Sequence, residues 1–268
     1  MKATALSYLL LSVLALCISS CSNIMTLGGL FAPPEPVVQP TQPPVAITPT
    51  RRPQLTPYAP APGTKIKWNS GRSDQPIIAL TFDDGPHPQN TPRLLDILNR
   101  YGVKATFFTV GRNVDMYPQI VQRIIAEGHE IGNHTYTHGN LSKMGAAGVR
   151  QELNRGRDAI ARAANYQPRV MRPPYGALTP EQRNWIYYEY GYPTILWNVD
   201  PYDWRDRVPS TVASRLVSGA RPGGILLAHD LHKTTVDAIP STLEQLLAQG
   251  YHFITVSELI ARSTTSTL

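Results

Sequence analysis

From about Lys65 to the end of the chain, short apolar runs alternate with amphipathic stretches, and this alternation restricts the fold more than any other feature. "IIALTF", "ATFFTV", "HEIGNH", "RVMR", "PTILWNV", "GILLAH" and "HFITV" are predicted strands. Between them lie predicted helices. "TPRLLDILNRYG" has Thr91 as its cap, Pro92 in the first turn and Gly102 as its stop. "YPQIVQRIIAEG" and "MGAAGVRQELNRGRDAIARAAN" follow, then "TPEQRNWIYYEYG", whose Thr179, Pro180 and Gln182 make a capping-box start. "STVASRLVSG", "STLEQLLAQG" and "SELIARS" complete the series. Strands separated by helices pair in parallel through crossovers. About seven such units in roughly 200 residues is lean for an eightfold barrel. The expectation is an α/β fold, a distorted (β/α) barrel of about seven units, with a doubly wound open sheet as the alternative.

What precedes this region has a different character. Residues 1–20 begin with Lys2 and carry an apolar stretch from Ala5 to Ile18, too short to span a bilayer and the right size for a secretory core. Its end, "ISSC", resembles a bacterial lipoprotein signal, which implies cleavage before Cys21 and acylation of that residue. By the same resemblance Ser22, not being aspartate, favours the outer membrane facing the periplasm in a Gram-negative host, and otherwise the outer face of the cell membrane. Residues 21–64 are dominated by proline, which excludes helix and central strand. The tract is expected to be a spacer rising about 3.1 Å per residue. The domain organisation is therefore a signal at 1–20, a linker at 21–64 and one folded domain at 65–268.

The only cysteines of the 268 residues are Cys17 and Cys21, so the folded part has no disulfide, no thiolate ligand and no cysteine nucleophile. A metal site there must use His, Asp or Glu. The formal charge of +6 is spread without a Lys/Arg run, which suits an anionic envelope and gives no sign of nucleic-acid binding.

Polar chemistry gathers where predicted strands end. Asp83 and Asp84 follow the first, His134 and His138 the third, Arg172 and Tyr175 the fourth. Asp200, Asp203 and Trp204 follow the fifth, and His229 and Asp230 the sixth. In parallel β/α folds the loops at these ends converge on one face. His134 and His138, four apart, share a face if "HTYTH" makes a helical turn, and such a pair is a common metal half-site. One of the two aspartates supplies a third ligand. The other then stands where it can take a proton from water acidified by the ion.

"TFDDGP", "HTYTH", "RPPYG", "DPYDW" and "LLAHD", in this order, resemble the polysaccharide deacetylases of the NodB-homology type, carbohydrate esterase family 4. The resemblance covers roughly Pro76 to Ile260. It implies the distorted barrel of that family and removal of N-acetyl groups from an N-acetylhexosamine polysaccharide such as peptidoglycan, a chitin-like polymer or poly-N-acetylglucosamine. Asp83 is implied as general base, and Asp84, His134 and His138 as ligands of one divalent ion, zinc first, with cobalt or nickel as substitutes. Arg172 would hold Asp83, and the backbone N–H of Tyr175 would stabilise the oxyanion. His229 would be the general acid, oriented by Asp203. Trp204 and Leu227 would line the acetyl pocket. Two other readings stay open: an esterase removing O-acetyl groups from a xylan-like polymer, and a sugar-binding envelope lipoprotein without catalysis. The remaining polar residues read more plainly. His87, Asp200 and Asp230 are expected to be structural or supporting groups, and His129 to lie at the far end of its strand. Trp185, Tyr187, Tyr188 and Tyr190 are expected to pack on the barrel. Tyr136 and Tyr202 are candidates for stacking on sugars.

Overall fold

The structure, a computed structural model, describes residues 63–265; the predicted signal, Cys21 and the linker as far as residue 62 lie outside the described residues. The elements run β1 (Lys67–Trp68), β2 (Ile77–Asp83), α1 (Asn90–Arg100), β3 (Thr106–Thr109), α2 (Gly111–Met116), α3 (Pro118–Ala126), β4 (Glu130–Asn133) and α4 (Ala146–Ala164). They continue with α5 (Pro180–Tyr190), β5 (Thr194–Ile195), α6 (Pro209–Gly219), β6 (Ile225–His229), α7 (Lys233–Ala248), β7 (His252–Phe253) and α8 (Val256–Thr265).

Strand pairing is parallel in the order β4-β3-β2-β6, with β7 on the start of β2 and β1 on β5. Single parallel bridges, Asn133 to Met171, Met171 to Thr194 and Val199 to Leu226, carry the pairing from β4 round to β6. This is the distorted (β/α) barrel expected from the alternation, with some staves reduced to one or two residues.

β2 is the central stave, buried along its whole length as a strand covered on both faces must be. Ile78, Leu80 and Phe82 pack outward with Leu94 and Leu98 of α1 and Ile239 and Leu243 of α7. Ile77 and Ala79 face a second cluster with Phe108, Ile195, Ile225 and Leu259. The period of two puts Thr81 and Asp83 on that inner face as well. Strand parity therefore turns Asp83 inward before any chemistry is considered.

Several local expectations change. The capping box at Thr179 and Gln182 forms as read. Thr91, expected as the cap of α1, lies inside the helix, and its hydroxyl donates to Asp230. The ring of His87 does the capping, its Nδ1 accepting from the N–H groups of Gln89 (3.3 Å) and Asn90 (3.2 Å). "RVMR" contributes only the bridging residue Met171, because Pro173 and Pro174 follow and can donate nothing to a ladder. Of the α5 aromatics, Trp185 and Tyr190 pack on a buried cluster, while Tyr188 is exposed.

Candidate active site

Asp83 ends β2 and is a register partner of His229 at the end of β6. The next residue, Asp84, has φ 76°, a left-handed conformation uncommon outside glycine, though aspartate adopts it more readily than most residues. That turn breaks the strand and brings the second carboxylate to the same rim. Two contacts hold it: Asn113 of α2 donates to Asp84 O (2.7 Å), and Asp84 N–H donates to Phe108 O (3.2 Å). Gly85 is required here, since a Cβ would lie 2.3 Å from Asp230 Oδ2.

Asp83 Oδ1 accepts from Arg172 Nη1 at 2.7 Å. The guanidinium is fully buried and otherwise spends its donors on Thr81 Oγ1 (2.8 Å), Leu196 O (3.0 Å) and Ile195 O (3.3 Å). Its plane lies over Phe108, 4.2 Å from the ring centroid. A donor set so fully used fixes Arg172, and Arg172 fixes Asp83.

Asp84, His134 and His138 make a second group. Asp84 Oδ1 is 3.0 Å from His138 Nε2 and 3.3 Å from His134 Nε2, while Asp83 Oδ2 is farther from His134 Nε2, at 3.8 Å. "HTYTH" is not a helical turn: Thr135 (φ 66°) and His138 (φ 64°) are left-handed, and an irregular loop brings the rings together. His134 Nδ1 lies 2.6 Å from Arg172 O, so Nδ1 carries a proton and donates, and Nε2 is the nitrogen turned toward Asp84.

These residues fit a divalent cation. One ligand atom from each of the three lies within 4.8 Å of the others. Asp84 Oδ1 is buried and has no aligned hydrogen bond, despite two imidazole nitrogens within reach. An orphaned carboxylate oxygen facing two nitrogen donors is what a shared cation would satisfy. Burial works to raise the Asp84 pKa, but the facing imidazoles outweigh it and hold the carboxyl well below its usual range. Two hard or borderline donor types and no thiolate suit zinc and similar ions.

His229 forms the third group. Its Nδ1 is 2.8 Å from Asp203 Oδ1, and its backbone N–H donates to Asp203 Oδ2 at 2.8 Å. Thr235 Oγ1 donates to the same oxygen at 2.8 Å. Burial would lower the imidazole pKa, but Asp203, with added pull from Asp83 and Asp84, pushes it up to about 9.

Asp83, Asp84, His134, His138, Tyr175, Trp204, Leu227 and His229 line one cleft of about 450 Å³, joined by Trp197 and Asp200. Every residue to which the resemblance assigns a catalytic, metal or acetyl-pocket role is thus in the cleft wall or, for Arg172 and Asp203, bonded to one that is. Trp197 was missed, having no motif of its own; it stands beside the Arg172 guanidinium, 5.5 Å from its ring centroid. Tyr136 does not face the cleft. Its hydroxyl bonds Asp115 (3.1 Å), and the Arg155 guanidinium lies 3.6 Å from its ring centroid. Tyr202 is exposed and stands edge-on to Trp204, with centroids 6.1 Å apart. Asp230 is buried beneath Gly85, and burial pushes its carboxyl up to about 7. His129 sits before β4, at the far end as expected, with burial lowering its imidazole pKa to about 4.

Fold and rim together define a parallel (β/α) domain with a candidate divalent-metal centre set between an Arg–Asp pair and a His–Asp pair. The model of the polysaccharide deacetylase family matches residues 70–195. A peptidoglycan-N-acetylglucosamine deacetylase of Bacillus cereus is 37% identical over 198 residues, 72% of each chain. The chain belongs to the polysaccharide deacetylase family. It is also 39% identical over 186 residues to the peptidoglycan-N-acetylmuramic acid deacetylase PdaC of Bacillus subtilis, covering 69% of this chain but only 39% of the length of that relative. The crystal structure of the Bc1960 peptidoglycan N-acetylglucosamine deacetylase superposes with a TM-score of 0.69 at 36% identity, covering 72% of this chain and 91% of that one.

Proposed function

We propose that this chain is a metal-dependent hydrolase that removes N-acetyl groups from the amino sugars of peptidoglycan. The observation that carries the reading is a single cleft holding a carboxylate, Asp83, and a raised-pKa imidazole, His229, on neighbouring strands beside the Asp84, His134 and His138 donors. The names of the relatives support the polymer, and the residues support the bond. An amine anion is a very poor leaving group, so an amide needs an acid, and His229 is protonated at neutral pH. The alkoxide of an O-acetyl ester is a better leaving group than an amine anion and needs that proton less, which favours the amide over the O-acetyl reading.

A divalent ion held by Asp84, His134 and His138, zinc in the first instance, would polarise the acetyl carbonyl and acidify the attacking water. Asp83, held in place by Arg172, accepts the proton of that water. The backbone N–H of Tyr175 donates to the carbonyl oxygen as charge develops there. His229 delivers its proton to the departing nitrogen as the C–N bond breaks, releasing acetate and a free amine. Asp203 holds the imidazole in place for that step. Trp204 and Leu227 frame the acetyl methyl group. Acetate release from peptidoglycan, chitin oligomers and acetylated xylan, compared at equal enzyme, tests the assignment; release from xylan alone would replace it with the esterase reading.

The sign of the pH dependence follows from His229. Its pKa is raised, so the acid form is present at low and neutral pH and is lost as pH rises through about 9. The kcat/KM profile on an N-acetylated oligosaccharide is expected to fall above that value. Asp203→Asn removes the anion that raises the pKa, so the alkaline limb should move down toward the ordinary imidazole value of about 6.5. An unmoved limb would remove His229 as the acid.

The anchor belongs to the same proposal. Cleavage before Cys21 and acylation of that residue would hold the domain at a membrane surface within the cell envelope, with residues 21–64 as the spacer. Among the described residues no helix is long and apolar enough to cross a membrane. The mature protein is expected to partition with membranes into detergent, and Cys21→Ala to release or mislocalise it. A fully soluble mature chain beginning elsewhere would end this reading.

A further inference from the structure

The loop that carries both histidines has an unusual hydrogen-bond account. His134 N–H donates to Thr109 O (3.1 Å), continuing the sheet. The next four backbone N–H groups all go to side chains. Thr135 N–H meets Asn133 Oδ1 (2.9 Å), and His138 N–H meets Thr135 Oγ1 (3.1 Å). Tyr136 and Thr137 N–H both meet Glu152 Oε2, at 3.0 and 2.8 Å. Thr137 Oγ1 adds a bond to Glu152 Oε1 at 2.9 Å. Of these side-chain acceptors only Glu152 is distant in the chain, on α4, and only it is a carboxylate.

Consecutive N–H groups around a left-handed residue form a concavity that attracts an anion. Here a carboxylate of the chain fills it. Glu152 is buried on α4, and Gly156, one turn further on, lets the helix come close: a Cβ there would lie 2.7 Å from Asn133 Oδ1 and 2.9 Å from Thr135 O. From the other side, Gly111 and Arg112 N–H donate to Thr135 O (2.9 Å) and Tyr136 O (3.0 Å). The loop is clamped between α2 and α4; on the α4 side Glu152 accepts from the Tyr136 and Thr137 N–H groups, and Leu153 O accepts from Asn133 Nδ2 at 2.9 Å.

We propose that Glu152 is a positioning residue, which fixes the segment between His134 and His138 and thereby sets the affinity and geometry of the divalent ion. The proposal rests on the metal-site reading above. Without Glu152, two N–H groups and a hydroxyl lose their acceptor, and the loop keeps only its bonds to α2 and those of Asn133 and Thr135.

The test compares the parent chain, Glu152→Ala, Glu152→Gln and Ile160→Ala by Zn²⁺ competition against a chelator, by the visible absorption of the Co²⁺-loaded protein and by thermal unfolding of the metal-free protein. Ile160 is a buried core residue on the same helix, outside the site. Glu152→Ala is expected to weaken Zn²⁺ binding by at least about 10-fold, the range seen when groups that orient metal ligands are removed, and to change the Co²⁺ spectrum. Glu152→Gln keeps one acceptor oxygen and should fall between. Ile160→Ala should lower thermal stability while leaving both metal readouts at parent values. Parent-like Zn²⁺ affinity and Co²⁺ spectrum in Glu152→Ala would overturn the proposal. Equal loss of affinity in Ile160→Ala would also overturn it, since affinity would then follow stability alone. If Glu152→Ala does not fold, Glu152→Gln decides, and parent-like affinity there overturns it. A parent chain that binds no divalent ion overturns the metal site and this proposal together, whereas a binding parent with unaffected Glu152 variants overturns this one alone.

Discussion

Asp83→Asn is expected to retain the divalent ion and to lose at least about 100-fold in amide hydrolysis, the low end of what a general base contributes. The two adjacent aspartates are chemically alike, and the geometry separates them. Asp84 Oδ1 sits 3.0 and 3.3 Å from the imidazole nitrogens, whereas Asp83 Oδ2 is 3.8 Å from the nearer one and Asp83 Oδ1 is taken by Arg172. An asparagine at 83 still offers Arg172 an oxygen but cannot accept a proton. It also leaves a fully buried guanidinium without its counter-charge. Removing one member of a buried pair costs up to about 3–5 kcal/mol, and the retained hydrogen bond places this substitution toward the low end. Thermal unfolding, read beside activity, separates the two effects. Asp84→Asn should behave oppositely, weakening the metal and regaining part of its activity when metal is in excess. Loss of metal in Asp83→Asn with retention in Asp84→Asn would mean that the roles are reversed.

Changing both His134 and His138 to Ala is expected to take the metal content from about one ion per chain, as a catalytic site of three protein ligands holds, to near zero, and activity with it. The two rings supply two of the three converging donor atoms, and a lone carboxylate oxygen is a weak site at neutral pH. His134→Ala also leaves Arg172 O without its donor from Nδ1, so that variant should be the less stable of the two single changes. Metal-to-protein ratio after gel filtration reads the outcome. Full occupancy in the double variant would exclude this site.

The alternation of strands and helices was legible because β2, β3 and β4 are buried along their whole length and β6 along all but its last residue, and because α1, α3, α5 and α7 are followed by Gly102, Gly128, Gly191 and Gly250, all with positive φ. Short elements were not. α2 has only six residues and two buried positions, too few for a helical period to show. The candidate rim was legible because parallel strands deliver their following residues to one face, whatever the loops do next. The loop path itself was not. "HTYTH" has helical spacing, but Asn133, Thr135 and Glu152 supply side-chain acceptors that a helix would not need. The role of Glu152 depends on tertiary neighbours, and His87 caps α1 through a ring nitrogen, an acceptor outside the usual Ser, Thr, Asp and Asn caps, so residue type announced neither. Tyr136 illustrates the converse: an aromatic in a rim loop suggested sugar stacking, but Asp115 and Arg155 hold it elsewhere.

The most direct test of the account is the appearance of free amino groups on purified peptidoglycan glycan strands, measured against acetate released in the same reaction. The metal-loaded parent chain should generate amine and acetate one for one, lose the activity on chelation and regain it on adding zinc or cobalt. Acetate without amine, or amine release indifferent to chelation, would contradict the account.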